Sequence, residues 1–252
     1  MQNLPISIVI PVRNEATTLS ELFAALDALS PKPAEVVFVD TGSDDGSLVL
    51  IENWMAHVGN AQIKGQLCRQ HGAYPGAARN IGIKAASQPW VAFLDAGIVP
   101  HADWLGKLWA CQKRSSATAV YGACRFHSAD SWGRMICAVS YGQEQIAPVL
   151  PASLFQKEVF ERAGYFEENL RSGEDVRWKR NLACVGISVQ DCNEALVEYG
   201  HFPSGLGGSL KKWFVYEQSA TVAGVGGGRR AFMLFAIGML YFLMAIGVAG
   251  HR

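Results

Sequence analysis

Two hydrophobic periods alternate along the first half of this 252-residue chain. Apolar, β-branched stretches near 6–10, 35–39 and 90–94, with a fourth extended segment near 65–69, predict strands, and their continuous apolar character fits strands covered on both faces. Between them, residues 16–29, 46–58, 76–86 and 101–114 place apolar side chains three and four apart, the spacing of one helical face; Leu19, Leu22, Phe23, Leu26 and Leu29 form such a stripe. Strands alternating with helices predict an α/β fold with a mostly parallel central sheet and flanking helices. From about 117 the order changes. A strand at 119–124, a helical stretch at 131–147, an extended segment at 152–155, a helix from Lys157 and a strand at 195–199 are expected. Ser172-Gly173-Glu174-Asp175 opens a further helix, with Ser172 as its cap and two acids in its first turn.

The end of the chain has a different pattern. A helix at 210–223 lies between glycine-rich joints at 203–208 and 224–228, and its Leu210, Trp213 and Phe214 beside Lys211 and Lys212 fit a membrane surface or a core face equally. Residues 231–249 are free of charge and span roughly 28 Å as a helix, close to the hydrocarbon thickness of a bilayer. Arg229 and Arg230 stand just before this run, which places the preceding domain on the cytoplasmic side; a buried helix is the competing reading.

Lysine plus arginine and aspartate plus glutamate both number 22, so no overall basic field points to nucleic acid. The six cysteines form no Cys-x-x-Cys pair, and Cys124, Cys137 and Cys184 read as small buried hydrophobes, as expected in a reducing compartment. No basic segment leads into an apolar one before the first strand, so no signal peptide is expected.

Against this apolar background, the acids at strand ends are the candidate chemistry. Val36-Val37-Phe38-Val39 ends on Asp40, and Trp90-Val91-Ala92-Phe93-Leu94 ends on Asp95. Open α/β sheets bind ligands beyond the carboxyl ends of their strands, so the two acids predict one polar crevice. Glu15, just after the first strand, is a companion for Asp40 or a helix-terminal acid. Arg79 falls in a helix beginning near Pro75-Gly76, where amide groups and a guanidinium could both meet a diphosphate. In Asp44-Asp45-Gly46 the turn-forming reading wins. Trp132, Tyr141 and Trp178 could form an apolar platform, although such aromatics usually belong to cores.

Taken in order, Ile10-Pro11-Val12-Arg13-Asn14-Glu15, Val39-Asp40-Thr41-Gly42-Ser43-Asp44-Asp45-Gly46-Ser47, Gly76-Ala77-Ala78-Arg79-Asn80-Ile81-Gly82, Phe93-Leu94-Asp95-Ala96-Gly97, Gly164-Tyr165-Phe166-Glu167-Glu168 and Gly173-Glu174-Asp175 resemble the family 2 inverting glycosyltransferases of GT-A fold, over most of the chain. The resemblance implies a nucleotide-sugar donor and an acceptor hydroxyl, on a lipid-linked or cell-envelope glycan. It implies a nucleotide-sugar-binding half at 1–116 and an acceptor and catalytic-base half at 117–209, to which the patterns above add an amphipathic helix and joint at 210–228 and a membrane segment at 229–252. Pro11, Glu15, Asp40, Arg79 and Asp95 would then bind the donor, Asp175 would be the general base and Glu174 would orient the acceptor or the base. A divalent metal, Mg²⁺ or Mn²⁺, would sit between Asp95 and His201. Here the chain departs from the family pattern. The usual Asp-x-Asp is Asp95-Ala96-Gly97, so the second carboxylate is missing, which also motivates the alternative of a catalytically weakened nucleotide-sugar-binding or scaffold protein. A nucleotidyltransferase would show a glycine-rich, lysine-bearing first loop that Pro11-Val12-Arg13-Asn14-Glu15 is not, and no Gln-x-x-Arg-Trp pattern near Gln218 suggests processive synthesis.

Overall fold

The computed structural model describes residues 3–58, 63–128, 130–140 and 146–202, together with 207, 208, 211, 214, 237 and 238. Its strands are β1 (Leu4–Val12), β2 (Pro33–Asp40), β3 (Lys64–Arg69), β4 (Trp90–Phe93), β5 (Val99–Pro100), β6 (Ala119–Phe126), β7 (Ile146–Pro148), β8 (Leu154–Gln156) and β9 (Gln190–Tyr199). The helices are α1 (Leu19–Ala28), α2 (Ser47–Val58), α3 (Pro75–Ala85), α4 (Trp104–Ser115), α5 (Ser131–Ser140), α6 (Glu158–Ala163) and α7 (Glu174–Cys184). One sheet runs β3-β2-β1-β4-β8-β6-β9-β5, with β7 added to β6.

The period of two along each strand sorts side chains onto two faces. Ile6, Ile8 and Ile10 of β1 and Phe38 of β2 join the stripe of α1, with Trp54 of α2 and Trp104 of α4, in one core. Val9, Val37 and Phe93, from the alternate positions, pack with α3, α6 and α7 in the other. β1, β2 and β4 are thus buried on both sides, which is why their sequences show apolar runs and not an alternation, whereas the edge strand β3 is only partly buried.

Four strands, β3, β2, β1 and β4, are parallel as expected. The second half corrects the expectation of a mostly parallel sheet. β8 runs antiparallel to both β4 and β6, β6 is parallel to β9, β5 pairs antiparallel with β9 and β7 with β6, so the sheet is mixed. A short apolar run such as Leu154-Phe155 is equally comfortable in either direction; the turn formed by Leu150–Ala152 sets it.

Four local readings change as well. The helix expected over 131–147 is α5, which ends at Ser140, and Ile146–Pro148 is a strand instead. Pro148 cannot donate the helical hydrogen bond and disfavours helix at Ala147, which pairs with Cys124. Ser172 does not cap α7. Gly173 occupies the cap at φ +84°, without a side-chain bond, a conformation glycine accepts readily. Cys184 is exposed at the end of α7, whereas Cys124 and Cys137 are buried as expected. Helix α1 begins only at Leu19, because Thr18 and Leu19 both donate to the Glu15 carbonyl in a preceding turn.

Among the described residues no helix is long and apolar enough to cross a membrane. The run at 231–249 and the helix expected at 210–223 lie outside them, save for isolated positions.

Candidate active site

Because β1 and β2 are neighbours in parallel register, with Val12 opposite Asp40, the loops that follow them start side by side. Side-chain bonds stitch these loops together. Asn14 N donates to Ser43 Oγ at 3.0 Å, Glu15 N to Ser47 Oγ at 2.9 Å and Ala16 N to Asp45 Oδ2 at 2.9 Å, while Asp44 N donates to Asn14 Oδ1 at 2.9 Å. Short polar side chains near turns commonly satisfy backbone groups in this way. The Ser47 hydroxyl and the Ala16 amide hold the Asp45 carboxyl below the ordinary range, in keeping with its turn-forming reading. Asp40 is 3 % exposed beneath this loop and accepts from Gly42 N at 3.0 Å and Ser43 N at 3.2 Å. Pro11, opposite Val39 in β1, lies on the same rim.

Glu15 is half-buried and its Oε2 accepts from Thr18 Oγ1 at 2.8 Å. Burial raises its carboxyl above the ordinary range, and the charge of Asp95 adds to the rise, with His201 opposing it. These couplings bring the ends of β1, β4 and β9 to one crevice.

The other wall comes from α3 and α7. Helix α3 starts at Pro75, whose fixed φ suits a first helical position. A Cβ on Gly76 would lie 2.3 Å from the Glu167 carbonyl oxygen, so only glycine permits this approach. Asn80 closes the contact. Its Nδ2 donates to the Phe166 carbonyl and its Oδ1 accepts from Phe166 N, both at 2.9 Å. Two of the sequence motifs are therefore halves of one joint, and the amino end of α3 packs against the 166–167 segment.

Arg79, one residue earlier, is 5 % exposed. Its Nη2 donates to Asp95 Oδ1 at 2.9 Å and its Nη1 to Glu174 Oε1 at 2.5 Å. The guanidinium expected to face a diphosphate thus lies between two carboxylates. Burial acts to lower its pKa, but the charges of Asp95, Glu174 and Asp175 outweigh that and raise it. Burial also raises the Glu174 carboxyl, against the pull of Arg79 and with the help of Asp175. Asp175, the next residue of α7, is half-buried, and its Oδ1 accepts from Val176 N at 2.8 Å.

The donor set for a metal is small. Asp95 remains 41 % exposed with one oxygen on Arg79, Gly97 offers no ligand, and His201 Nε2 lies 3.5 Å from Glu21 Oε2. Among the described residues no group of three or more His, Cys, Asp or Glu could hold a metal ion. Mg²⁺ in nucleotide sites needs only one or two carboxylates, because phosphate oxygens and water complete its shell. The residues therefore fit a cation carried in with a diphosphate, not one held by the protein alone.

Two tyrosines escape sequence reasoning. A Cβ on Gly97 would stand 4.0 Å from Tyr199 Cε2, so this ring borders the place of the missing carboxylate. Burial and the charges of Glu15 and Asp95 push the Tyr199 hydroxyl up to about 12. Tyr121 is 3 % exposed and its hydroxyl has no hydrogen-bond partner among the described residues. Burial chiefly, then Asp175, raises it. Both lie in strands, where an aromatic residue reads as core; no local signal marks either. Trp178, 1 % exposed and stacked on Phe160, is core and not a platform, while Trp132 is half-buried and Tyr141 lies outside the described residues.

A parallel half-sheet with acids at its strand ends, joined to a mixed half that supplies a further acidic pair, is the GT-A type of architecture. The chain belongs to glycosyl transferase family 2, whose model matches residues 7–164. It is 30 % identical to glycosyltransferase AglE of Haloferax volcanii, over 83 % of this chain and 70 % of AglE. It is 28 % identical to the pre-mycofactocin glycosyltransferase of Mycobacterium tuberculosis, over 98 % of this chain but 54 % of that enzyme, so it spans about half of the mycobacterial protein. Mannosyltransferase PcManGT of Pyrobaculum calidifontis, solved with GDP-Man and Mn²⁺, shares the fold at TM-score 0.62 and 17 % identity, over 98 % of this chain and 80 % of that one.

Proposed function

We propose that the protein transfers a sugar from a nucleotide-sugar donor to an acceptor hydroxyl by a single displacement with inversion. The supporting observation is the convergence of Glu15, Asp40 and Asp95 at strand ends with Glu174-Asp175 tied to Asp95 through Arg79. Pro11, Glu15 and Asp40 would line the nucleoside end. Asp175, at the start of α7, would take the acceptor's hydroxyl proton while the oxygen attacks the anomeric carbon. The bond from that carbon to the diphosphate breaks, and its electrons leave on the phosphate oxygen. In-line transfer requires the base and the leaving group on opposite faces of the sugar, as two walls of one crevice allow. A divalent cation bound with the donor would be held at Asp95, with His201 nearby, and would offset the leaving charge.

The acceptor would be a lipid-linked or cell-envelope glycan, handled at the cytoplasmic face of a membrane. The charge-free run at 231–249 behind Arg229 and Arg230 supports this.

The test is incubation of the purified chain with a panel of nucleotide sugars and hydroxyl acceptors, with the product anomer read by NMR. Asp175→Asn keeps the shape and removes the proton acceptor, so turnover should fall at least ~10²-fold with nucleoside diphosphate affinity nearly unchanged. Full turnover by that variant, or a product of retained configuration, would overturn the assignment. Gly97 favours a second reading, a nucleotide-sugar-binding protein with weakened catalysis, which donor binding without turnover by the wild type would establish.

A further inference from the structure

The guanidinium of Arg79 touches both halves of the crevice. Through Nη2 it bonds Asp95, which follows β4; through Nη1 it bonds Glu174, the first residue of α7. Its side chain is 6 % exposed, its Cζ lies 5.9 Å from the centre of the Phe166 ring, and its Nε has no hydrogen-bond partner among the described residues. A group enclosed this way has little surface to offer a diphosphate. Its planar fork can instead hold two carboxylates at a fixed angle, which a lysine ammonium cannot do. Asp175 follows Glu174 on the same rigid helix, so the position of Glu174 against Asp95 sets the position of Asp175 as well.

We infer that Arg79 is a positioning residue: its buried guanidinium registers the acidic end of α7 against Asp95, without itself binding the donor. The inference rests on the transferase reading above. It separates the residue from the direct diphosphate contact that its place in the helix suggests.

The experiment uses the full chain with a nucleotide sugar that the wild type turns over. Arg79→Lys and Arg79→Met should lower kcat at least ~10²-fold, while KM for the donor and the calorimetric Kd for nucleoside diphosphate stay within about 3-fold. Donor binding more than about 10-fold weaker with unchanged kcat would overturn the inference in favour of a direct diphosphate contact. An unchanged kcat with only a lower melting temperature would overturn it in favour of a purely structural role. Should both variants fail to fold, Glu174→Gln carries the test: a kcat loss with unchanged nucleoside diphosphate affinity supports the positioning role, and wild-type kcat overturns it. Absence of turnover by the wild type with every nucleotide sugar would overturn the transferase reading and this inference together, whereas an active wild type with an unimpaired Arg79→Lys overturns the positioning role alone.

Discussion

At the scale of single residues, the crevice is strongly acidic and its buried arginine is already paired. Glu15 and Asp95 act on each other, and Glu174 and Asp175 stand opposite, so an incoming diphosphate meets like charge. A cation accompanying the donor would relieve this repulsion, and Gly97 leaves one carboxylate fewer to hold it. Gly97→Asp is sterically open, since the added Cβ meets only Tyr199 Cε2 at 4.0 Å. This variant should bind Mn²⁺ in the absence of nucleotide at least ~10-fold more tightly than the wild type, by calorimetric titration, because two carboxylates replace one. Equal affinity would place the cation away from Asp95. Asp95 is legible in the sequence as a carboxylate at a strand end; Tyr121 and Tyr199 are not, because an aromatic residue in a strand looks the same whether it faces a core or a ligand.

At the scale of elements, helix α3 carries Arg79 and is held to the sheet by close contact. A Cβ at Gly82 would lie 2.3 Å from Val9 Cγ1 and 3.3 Å from Val39 Cγ2. Alanine favours helix over glycine by about 1 kcal/mol. Against this, Val9 is a fully buried β-branched residue with little rotamer freedom, and overpacking costs about 1–3 kcal/mol. Gly82→Ala should therefore destabilise the protein despite its better propensity, lowering the midpoint of urea unfolding; a raised midpoint would show that α3 can move away from β1. Helix periodicity reveals that α3 exists and which side is apolar. It carries no information on how near the helix lies, which depends on the strand beneath.

At the scale of the whole molecule, one buried carboxylate lashes several elements at the edge of the sheet away from the crevice. Glu35 of β2 accepts from Ser7 Oγ of β1 at 2.5 Å and from Ser87 N at 2.7 Å, and pairs with Lys64 of β3 at 2.7 Å. Burial acts to raise its carboxyl, but the bonds from Lys64, Ser7 and Ser87 prevail and hold it below the ordinary range. A folded pKa below the unfolded one contributes stability that is present above the carboxylate range and lost as pH falls through it. Glu35→Gln should then cost about 1–3 kcal/mol at neutral pH and flatten the acid-side loss of stability in urea melts run across pH. An acid-side slope identical to wild type would assign the loss to other groups. The sequence by itself determined the order of strands and helices in the first half, the strand-end positions of Asp40 and Asp95 and the family motifs, since these follow from local period and turn chemistry. Only the tertiary structure decided that β8 runs antiparallel and that Asn80 joins α3 to the segment at Phe166. The same holds for Arg79, which bridges Asp95 and Glu174 across 16 and 95 residues of chain. The direction of a short strand and the partner of a distant charge are set by packing between elements, and no local pattern records that.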